Sequence, residues 1–564
     1  DRQEGPLIHM GAVIGAGISQ GKSTTFKTDL RIFKLFREDH EKRDFVSAGA
    51  AAGISAAFGA PVGGVLFSLE EGASFWNQSL TWRILLCSMI SFFSLNLILS
   101  TYHGVPGDLS YSGLLNLGSF SNLNYNLVEF PMFMTMGVVG GLLGALFVAL
   151  NSALNKFRMK YIYKKWHKVL EALVVITVTT SVAMLMALHL KDCRPLGEDP
   201  IENPVQMFCD DGEYSSTAAM WFQTGEPAVR SLFHDPEGSQ KISLLSIFAV
   251  CYFLLTCWSH GIVVPSGLFI PCLLAGAAWG RIVGILMRMA FPTAANISAG
   301  KYALVGAAAQ LAGVTRATLS LTVLLIEATG NITFGLPIMV TLTISKWVAD
   351  YFSEGIYEVG IHLSGIPLLP FDPPALCGNI QAADVMSCPV ATFKPVESVH
   401  KICQSLKSDK HNGFPIIDMG EDRCQDSPPT YGRCQGLILR SQLIVLLQKK
   451  LYLETAAKWK KTVSTSVFRD AYPRYKDINE IEVSEDELDK HIDLQLFMNP
   501  NPYTVYYTTS LPRMFRLFRG LGLRHLIITN RDNQVVGIVT RKDLARYRVS
   551  SKRGHLNMEE IQFM

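Results

Sequence analysis

Four groups of residues in this 564-residue chain have the type and spacing to handle ions. Glu4 stands in Glu4-Gly5-Pro6 just before an apolar, small-residue run, so its carboxylate is expected at a helix N-terminus, where unpaired N–H groups and the dipole favour an anion. A helix start that holds a carboxylate can hold a free anion instead. Glu70 and Glu71 end the apolar run Val62 to Leu69. An acid in such a segment costs about 2.5 to 3.5 kcal/mol on insertion scales and is by default a functional candidate; a pair at the segment's end also reads as an ordinary interfacial cap. In Gly267-Leu268-Phe269-Ile270-Pro271 the glycine lets the backbone approach a ligand and the following amides point into the site, the plain alternative being a helix kink. Tyr357 follows the last long apolar stretch, where its hydroxyl either donates to an anion or anchors the chain at an interface.

One further pattern is a decoy. Ala16 to Ser23 (AGISQGKS) fits a loose phosphate-binding loop, which must join a buried strand to a helix. Here the preceding Ile8 to Ile18 alternates small and apolar residues like a packed membrane helix, a charged loop follows through Asp44, and no apolar strand ending in an acid comes later. Nucleotide hydrolysis, and with it an enzyme, is therefore not expected.

The elements that must position these residues follow from composition. Hydrophobic residues make up 49% and charged residues 18%, below the roughly 25% of a soluble domain. Residues 1–360 carry 50 of the 99 charged residues and 361–564 carry 49, so a membrane part precedes a soluble one. Apolar stretches at 79–101, 127–154, 169–190, 242–258, 268–291 and 334–352 each approach the ~20 residues that cross the hydrocarbon. Between them, small-residue segments such as Val46 to Gly64 and Tyr302 to Gly313 suit close packing or helices that stop partway and line a pathway. Residues 155–168 hold six Lys or Arg and no acid, whereas 191–241 hold ten acids against four basic residues. The positive-inside rule places the first loop in the cytoplasm and the second on the lumenal or extracellular face. Cys193 and Cys209 share that second loop, where a disulfide and two free thiols are both open. The net charge of +3 and the lack of basic runs interleaved with aromatics argue against nucleic acid. The opening Asp1-Arg2-Gln3-Glu4 has neither Met nor a basic n-region, so it is no signal peptide and reads as an internal start.

In this order, Glu4-Gly5-Pro6 with His9 and Gly11, Gly267-x-Phe269-x-Pro271 and Tyr357 resemble the CLC chloride channels and proton-coupled transporters, and paired CBS modules follow. The stretches at 42–53, 58–78 and 468–475 resemble the late-endosomal and lysosomal exchanger branch. The resemblance implies an α-helical polytopic membrane fold of inverted repeats, the first incomplete, with a C-terminal α/β CBS pair. It implies Glu4 as gating glutamate, Glu71 as proton glutamate on the cytoplasmic side, and chloride bound at Leu268, Phe269, Tyr357 and Gly5. Chloride and protons would be the transported ions, with no cofactor required. It further implies a homodimer in a lysosomal or late-endosomal membrane and a possible accessory single-span β subunit. A chloride channel of the same fold is the alternative, and a CBS-regulated carrier of another ion a remote one. Two departures stand out: Arg2-Gln3 precede Glu4 where the family has Gly-Lys, and the upstream Gly-Ser-Gly-Ile-Pro motif is not in this sequence.

The expected division is a membrane domain over 1–360, a linker at 361–381, a first CBS module at 382–453, a charged linker at 454–491, a second module at 492–553 and a tail at 554–564. A weak repeat supports the pair. Asp384-Val385-Met386-Ser387 echoes Phe497-Met498-Asn499, and Gly436-Leu437-Ile438-Leu439-Arg440 echoes Gly537-Ile538-Val539-Thr540-Arg541. By resemblance, ATP or a related adenine nucleotide would lie between the modules, held by Thr540 and Asp543 and by the turn His411-Asn412-Gly413-Phe414. His411 stands where an aromatic often stacks on the base.

Overall fold

The computed structural model describes residues 4–560 other than 24–27, 31, 74, 108–113, 116, 119, 121–123, 191, 196–203, 237, 265, 292–296, 371, 375–376, 419–429, 454–465, 473–474 and 553–554. Arg2 and Gln3, most of the polar insert in the first module, part of the charged linker and the chain's last four residues thus lie outside the described residues. The chain forms two compact units: Asp1–Ala16, Arg43–Ser364 and Lys552–Gly554 make one, and Gly17–Lys42, Gly365–Ser551 and His555–Met564 the other.

The first unit is helical. Its elements are α1 (Glu4–Gln20), α2 (Asp39–Phe58), α3 (Pro61–Phe67), α4 (Gln78–Tyr102), α5 (Phe130–Tyr161), α6 (Lys165–His189), α7 (Ser216–Trp221), α8 (Gly225–His234), α9 (Ile242–Ser259), α10 (Phe269–Ala290), α11 (Ala299–Thr315), α12 (Leu319–Thr329), α13 (Gly335–Phe352) and α14 (Ile356–Leu363). Among the described residues five helices are long and apolar enough to cross a membrane: α4, α5 with the turn before it, α6, α9 and α10. The sixth expected stretch forms α13, but Lys346 and Asp350 dilute its apolar character. Burial separates two uses of apolar sequence. In α6 only 17% of the apolar span is buried in protein, whereas in α10 the figure is 72%. Helix α11 is buried along its whole length and packs against α5, α10 and α13.

Small residues let α1 and α2 touch backbone to backbone. A Cβ on Gly11 would sit 2.1 Å from the carbonyl oxygen of Gly49, and one on Gly49 equally close to that of Gly11. Any side chain there would force the helices apart.

An inverted repeat emerges from the backbone. Gly49-Ala50-Ala51-Ala52 recurs 257 positions later as Gly306-Ala307-Ala308-Ala309, Gly59 recurs as Arg316 and Glu70 as Glu327. Both hinge residues are left-handed, with φ +66° at Gly59 and +68° at Arg316. Arg316 bears a conformation that disfavours side chains, and its guanidinium bonds the carbonyls of Ala349 (3.1 Å) and Ser353 (3.0 Å) past the hinge. The half-helices beyond the hinges cap one another. Val62 N donates to Glu327 Oε1 (3.2 Å) and Gly63 N to Oε2 (2.8 Å), while Thr318 N and Ser320 N donate to Glu70 Oε1 and Oε2 (both 2.9 Å). Each carboxylate near one helix's C-terminal end thus serves the other's N-terminus, so α3 and α12 run antiparallel.

In the acidic loop, β3 (Cys193–Pro195) pairs antiparallel with β4 (Glu213–Ser215), and Cys193 is disulfide-bonded to Cys209, with Cα atoms 5.7 Å apart.

The second unit holds the modules. The first contains β5 (Val396–Ser398), α16 (Val399–Ser408), β6 (Gly413–Asp418), β7 (Arg433–Leu439) and α17 (Arg440–Gln448), preceded by α15 (Ala382–Val385). After α18 (Ser466–Ala471) and β8 (His491–Asp493), the second contains β9 (Thr504–Tyr506), α19 (Leu511–Leu521), β10 (His525–Thr529), β11 (Val535–Thr540) and α20 (Arg541–Ala545). The repeats exchange their first segments. Ser387 bridges to Ile538 on β11, and its counterpart Asn499 bridges to Leu437 on β7. The exchange explains the two glycines that open the repeated motif: a Cβ on Gly537 would meet Met386 Sδ at 2.3 Å, and one on Gly436 would meet Met498 Sδ at 2.5 Å.

Residues 17–42, which the sequence leaves inside the membrane part, group with this unit. Their hairpin of β1 (Lys22–Ser23) and β2 (Thr28–Asp29) follows a helix rather than joining a strand to one, so the phosphate-loop pattern is a coincidence of sequence. Lys22 Nζ donates to the Asp470 carbonyl (3.2 Å), Lys34 pairs with Asp470 (2.9 Å), Arg469 Nε donates to Glu38 (3.0 Å) and Tyr472 Oη to Asp39 (2.7 Å).

Candidate functional site

Glu4 is the first residue of α1, where its sequence context places it. Phe269 likewise opens α10, with Leu268 as the cap residue and Pro271 in the first turn, so Gly267-x-Phe269-x-Pro271 is a helix start rather than a kink. Tyr357 is the second residue of α14 and is 38% exposed. Leu268, Phe269 and Ile270 at α10 and Ile356 at α14 belong to one extended apolar core, against which Leu7 and Ile8 of α1 and Val359 of α14 pack. The Phe58 ring at the end of α2 lies 4.5 Å from that of Phe269. Helix starts leave their first amides without intrahelical partners, so each such start offers positive potential without a fixed cation. Gly5 follows Glu4 in α1, and an added Cβ there would meet nothing within 4 Å.

Glu70 and Glu71 lie beyond the α3 apolar run, on one π-helical turn, Ser68–Gly72, outside the five long apolar helices. Such turns redirect side chains and recur at functional sites. They set adjacent carboxylates to different tasks. Glu70 accepts four hydrogen bonds, from the amides and hydroxyls of Thr318 and Ser320, the shortest being Ser320 Oγ at 2.6 Å. Desolvation raises its proton affinity, but those bonds outweigh it and hold the carboxyl below its ordinary range. Glu71 reaches solvent yet is surrounded by protein. Desolvation first, then the like charges of Glu70 and Glu358, push it up to about 7, with Lys346 opposing. A carboxyl that titrates near neutrality takes and gives protons at physiological pH. Glu358 sits next to Tyr357 on α14, so one short helix carries a candidate anion ligand and a group that acts on Glu71.

Sequence reasoning missed Glu327. Its signal was available, since it is an acid in the apolar run Leu319 to Ala328, but the helix start it caps lies 264 to 265 residues away.

In the second unit, Thr540 ends β11 and caps α20. Asp543 Oδ2 accepts from Thr540 N and Oγ1, both at 2.7 Å, and Oδ1 from Ser387 Oγ at 3.1 Å. The exchanged first segment thus reaches the candidate ribose site. The equivalent positions in the first module are Leu439 and Gln442, joined by a Leu439 N to Gln442 Oε1 bond (2.9 Å), so only one module has the Thr and Asp. His411 and Asn412 are exposed, Gly413 and Phe414 are buried, and the Phe414 ring packs on Phe393, so Phe414 offers its backbone only. His525, unnoticed in the sequence, lies against this turn, 2.8 Å from where a Cβ on Gly413 would be. Burial, and after it Arg524, hold the imidazole below its ordinary pKa, hence neutral at pH 7.

The comparisons agree with this architecture. The family model described as Voltage gated chloride channel matches residues 3–350, and that of the CBS domain residues 492–550. The H(+)/Cl(-) exchange transporter 7 of Rattus norvegicus and that of Homo sapiens are each 53% identical over 99% of this chain and 69% of their own length. Chloride channel protein CLC-d of Arabidopsis thaliana is 36% identical over 96% of this chain and 71% of its own. The crystal structure of a eukaryotic CLC transporter superposes with a TM-score of 0.59 at 23% identity, covering 96% of this chain and 76% of that one, a likeness of fold. A helical polytopic membrane fold followed by a CBS domain, with a family match across most of the helical part, gives the conclusion that the chain belongs to the voltage-gated chloride channel (CLC) family.

Proposed function

We propose that this chain exchanges chloride for protons across a membrane, with Glu4 as gate and Glu71 as the internal proton relay. The observation that carries the reading is the state of Glu71, a carboxyl poised near pH 7 on a turn beside Glu70 and Glu358. Glu4 at the start of α1 stands in for chloride when ionised. Chloride approaching the same helix start repels that carboxylate and raises its proton affinity, so anion entry and proton uptake are coupled. Leu268, Phe269, Tyr357 and Gly5 would supply neutral donors and backbone that hold the anion without trapping it. The 53% identity to relatives named H(+)/Cl(-) exchange transporter 7 favours exchange over a channel.

By the same resemblance the protein works as a homodimer in lysosomal or late-endosomal membranes, with residues 155–168 cytoplasmic and the disulfide-bearing loop lumenal. A single-span β subunit is a candidate partner. Adenine nucleotide binds the CBS pair at Thr540 and Asp543, the bound state requiring Asp543 Oδ1 to exchange Ser387 for ribose.

Chloride flux and pH change measured together in liposomes test the assignment. Glu4→Ala should leave anion flux and abolish its coupling to protons. Glu71→Ala should lower proton flux about 100-fold, the scale of a lost proton-transfer group. Intact coupled exchange in Glu71→Ala would falsify the relay.

A further inference from the structure

The mutual capping of α3 and α12 sets Glu70 apart from its neighbour. Its two oxygens take up four donors at the start of α12, Thr318 N (2.9 Å) and Oγ1 (3.1 Å) on one and Ser320 N (2.9 Å) and Oγ (2.6 Å) on the other. That fork occupies the carboxylate in plane and leaves it little rotational freedom. The turn that bears it, Ser68–Gly72, is a single π-helical turn, a local departure from the i to i−4 ladder of α3. A second tie is Ser68 Oγ to the Ser47 carbonyl on α2 (3.0 Å). Glu71 is the next residue, so any rotation of the turn about its axis carries the Glu71 carboxyl with it.

We infer that Glu70 is a positioning residue: by clamping the π turn to the start of α12 it fixes where Glu71 presents its carboxyl, and it does not itself carry the transported proton. The inference rests on the exchange reading of Glu71. Its geometry explains why two adjacent acids occur where one would serve a relay. It also explains why the inverted counterpart Glu327 is followed by Ala328: the second half-helix keeps the clamp without anything to position. The charged groups facing Glu71 are Glu70 on its own turn, Glu358 on α14 and Lys346 on α13. Neutralising Glu70 therefore removes a like charge as well as the clamp, and the test must separate the two.

The test uses the protein in liposomes, with chloride and proton fluxes recorded together across a pH series. Glu70→Gln keeps the shape but turns an amide NH2 toward the donors of either Thr318 or Ser320, and Ser320→Ala removes the 2.6 Å bond while leaving every charge in place. Glu327→Gln disturbs the same helix pair at its other end. Displacement of a reacting group by about 1 Å costs up to about 100-fold, so Glu70→Gln should lower proton flux at least about tenfold more than chloride flux. Ser320→Ala should change the proton-to-chloride ratio in the same direction by a smaller factor, and Glu327→Gln should leave the ratio unaltered. Glu70→Asp, one methylene shorter, should fail to restore the ratio although its charge is native. Should Glu70→Gln fail to fold, Ser320→Ala decides alone. The inference is overturned if Ser320→Ala keeps the native ratio, or if Glu70→Gln and Glu327→Gln lower both fluxes equally, which would make the clamp purely structural. A wild-type protein that moves chloride without protons would instead sink the exchange reading and leave the clamp's geometry untouched.

Discussion

Glu70 and Glu327 cap each other's helices: each accepts two backbone amides at the start of the half-helix that carries the other. Helix α12 has 11 residues and spans only about 16 Å, too short to cross a bilayer alone. Its N-terminal amides must therefore be satisfied by protein, and a carboxylate does this while being stabilised by the dipole it meets. Among the described residues both acids are thus satisfied by backbone amides and hydroxyls rather than by a lysine or arginine, whose fixed positive charge would compete for the anion.

The raised proton affinity of Glu71 makes a signed prediction. Like charge disfavours ionisation, so Glu358→Gln should lower the Glu71 pKa and shift the midpoint of proton flux to lower cytoplasmic pH. Lys346→Met removes the opposing cation and should shift it to higher pH, each by up to about one unit. Flux measured from pH 5.5 to 8.5 checks both; shifts of the same sign would show that Glu71 is not the group being titrated.

Much of this was legible in the sequence, in a specific sense. Helix starts at Glu4 and Phe269 follow from Gly and Pro placed before apolar runs, and local signals suffice for them. The clamp was not legible as such. Glu70, with Glu71, read as a functional candidate whose plain alternative was an interfacial cap; it is a cap, but of a helix 248 to 250 residues away that local periodicity cannot name. The pairing of Cys193 with Cys209 stayed open because loop sequence does not fix a Cα separation; in the structure β3 pairs Cys193 with Ser215, and Cys209, just before β4, lies 5.7 Å from Cys193 between Cα atoms. Residues 17–42 read as a plain charged loop because their partners Asp470 and Tyr472 lie more than 400 positions on.

The exchanged CBS segments predict an asymmetric nucleotide response. In calorimetry on the purified chain, Asp543→Ala should weaken ATP at least about tenfold, as loss of a charged hydrogen-bond partner does. Gln442→Ala, at the equivalent position in the first module, should not. Ser387→Ala removes the hydroxyl that now occupies Asp543 Oδ1 and should strengthen binding about two- to tenfold. No saturable heat at millimolar ATP would leave the pair as a packing module.

The Met-on-Gly contacts predict a stability difference. A Cβ on Gly436 would meet the Asn499 carbonyl at 2.8 Å as well as the Met498 side chain, whereas the three nearest atoms to one on Gly537 all belong to the Met386 side chain. Flexible methionine yields and backbone does not, so Gly436→Ala should cost about 1 to 3 kcal/mol and Gly537→Ala less. Denaturant unfolding of the two variants compares them, and equal losses would contradict the exchange of first segments as the cause.

The central claim is coupled exchange through this chain, and uphill proton movement tests it most directly. Liposomes carrying the wild-type protein, given a chloride gradient and no pH gradient, should move protons against the gradient that builds up, in the direction opposite to chloride. Chloride movement with no proton displacement, under conditions where the membrane potential is clamped, would make the protein a channel and contradict the account.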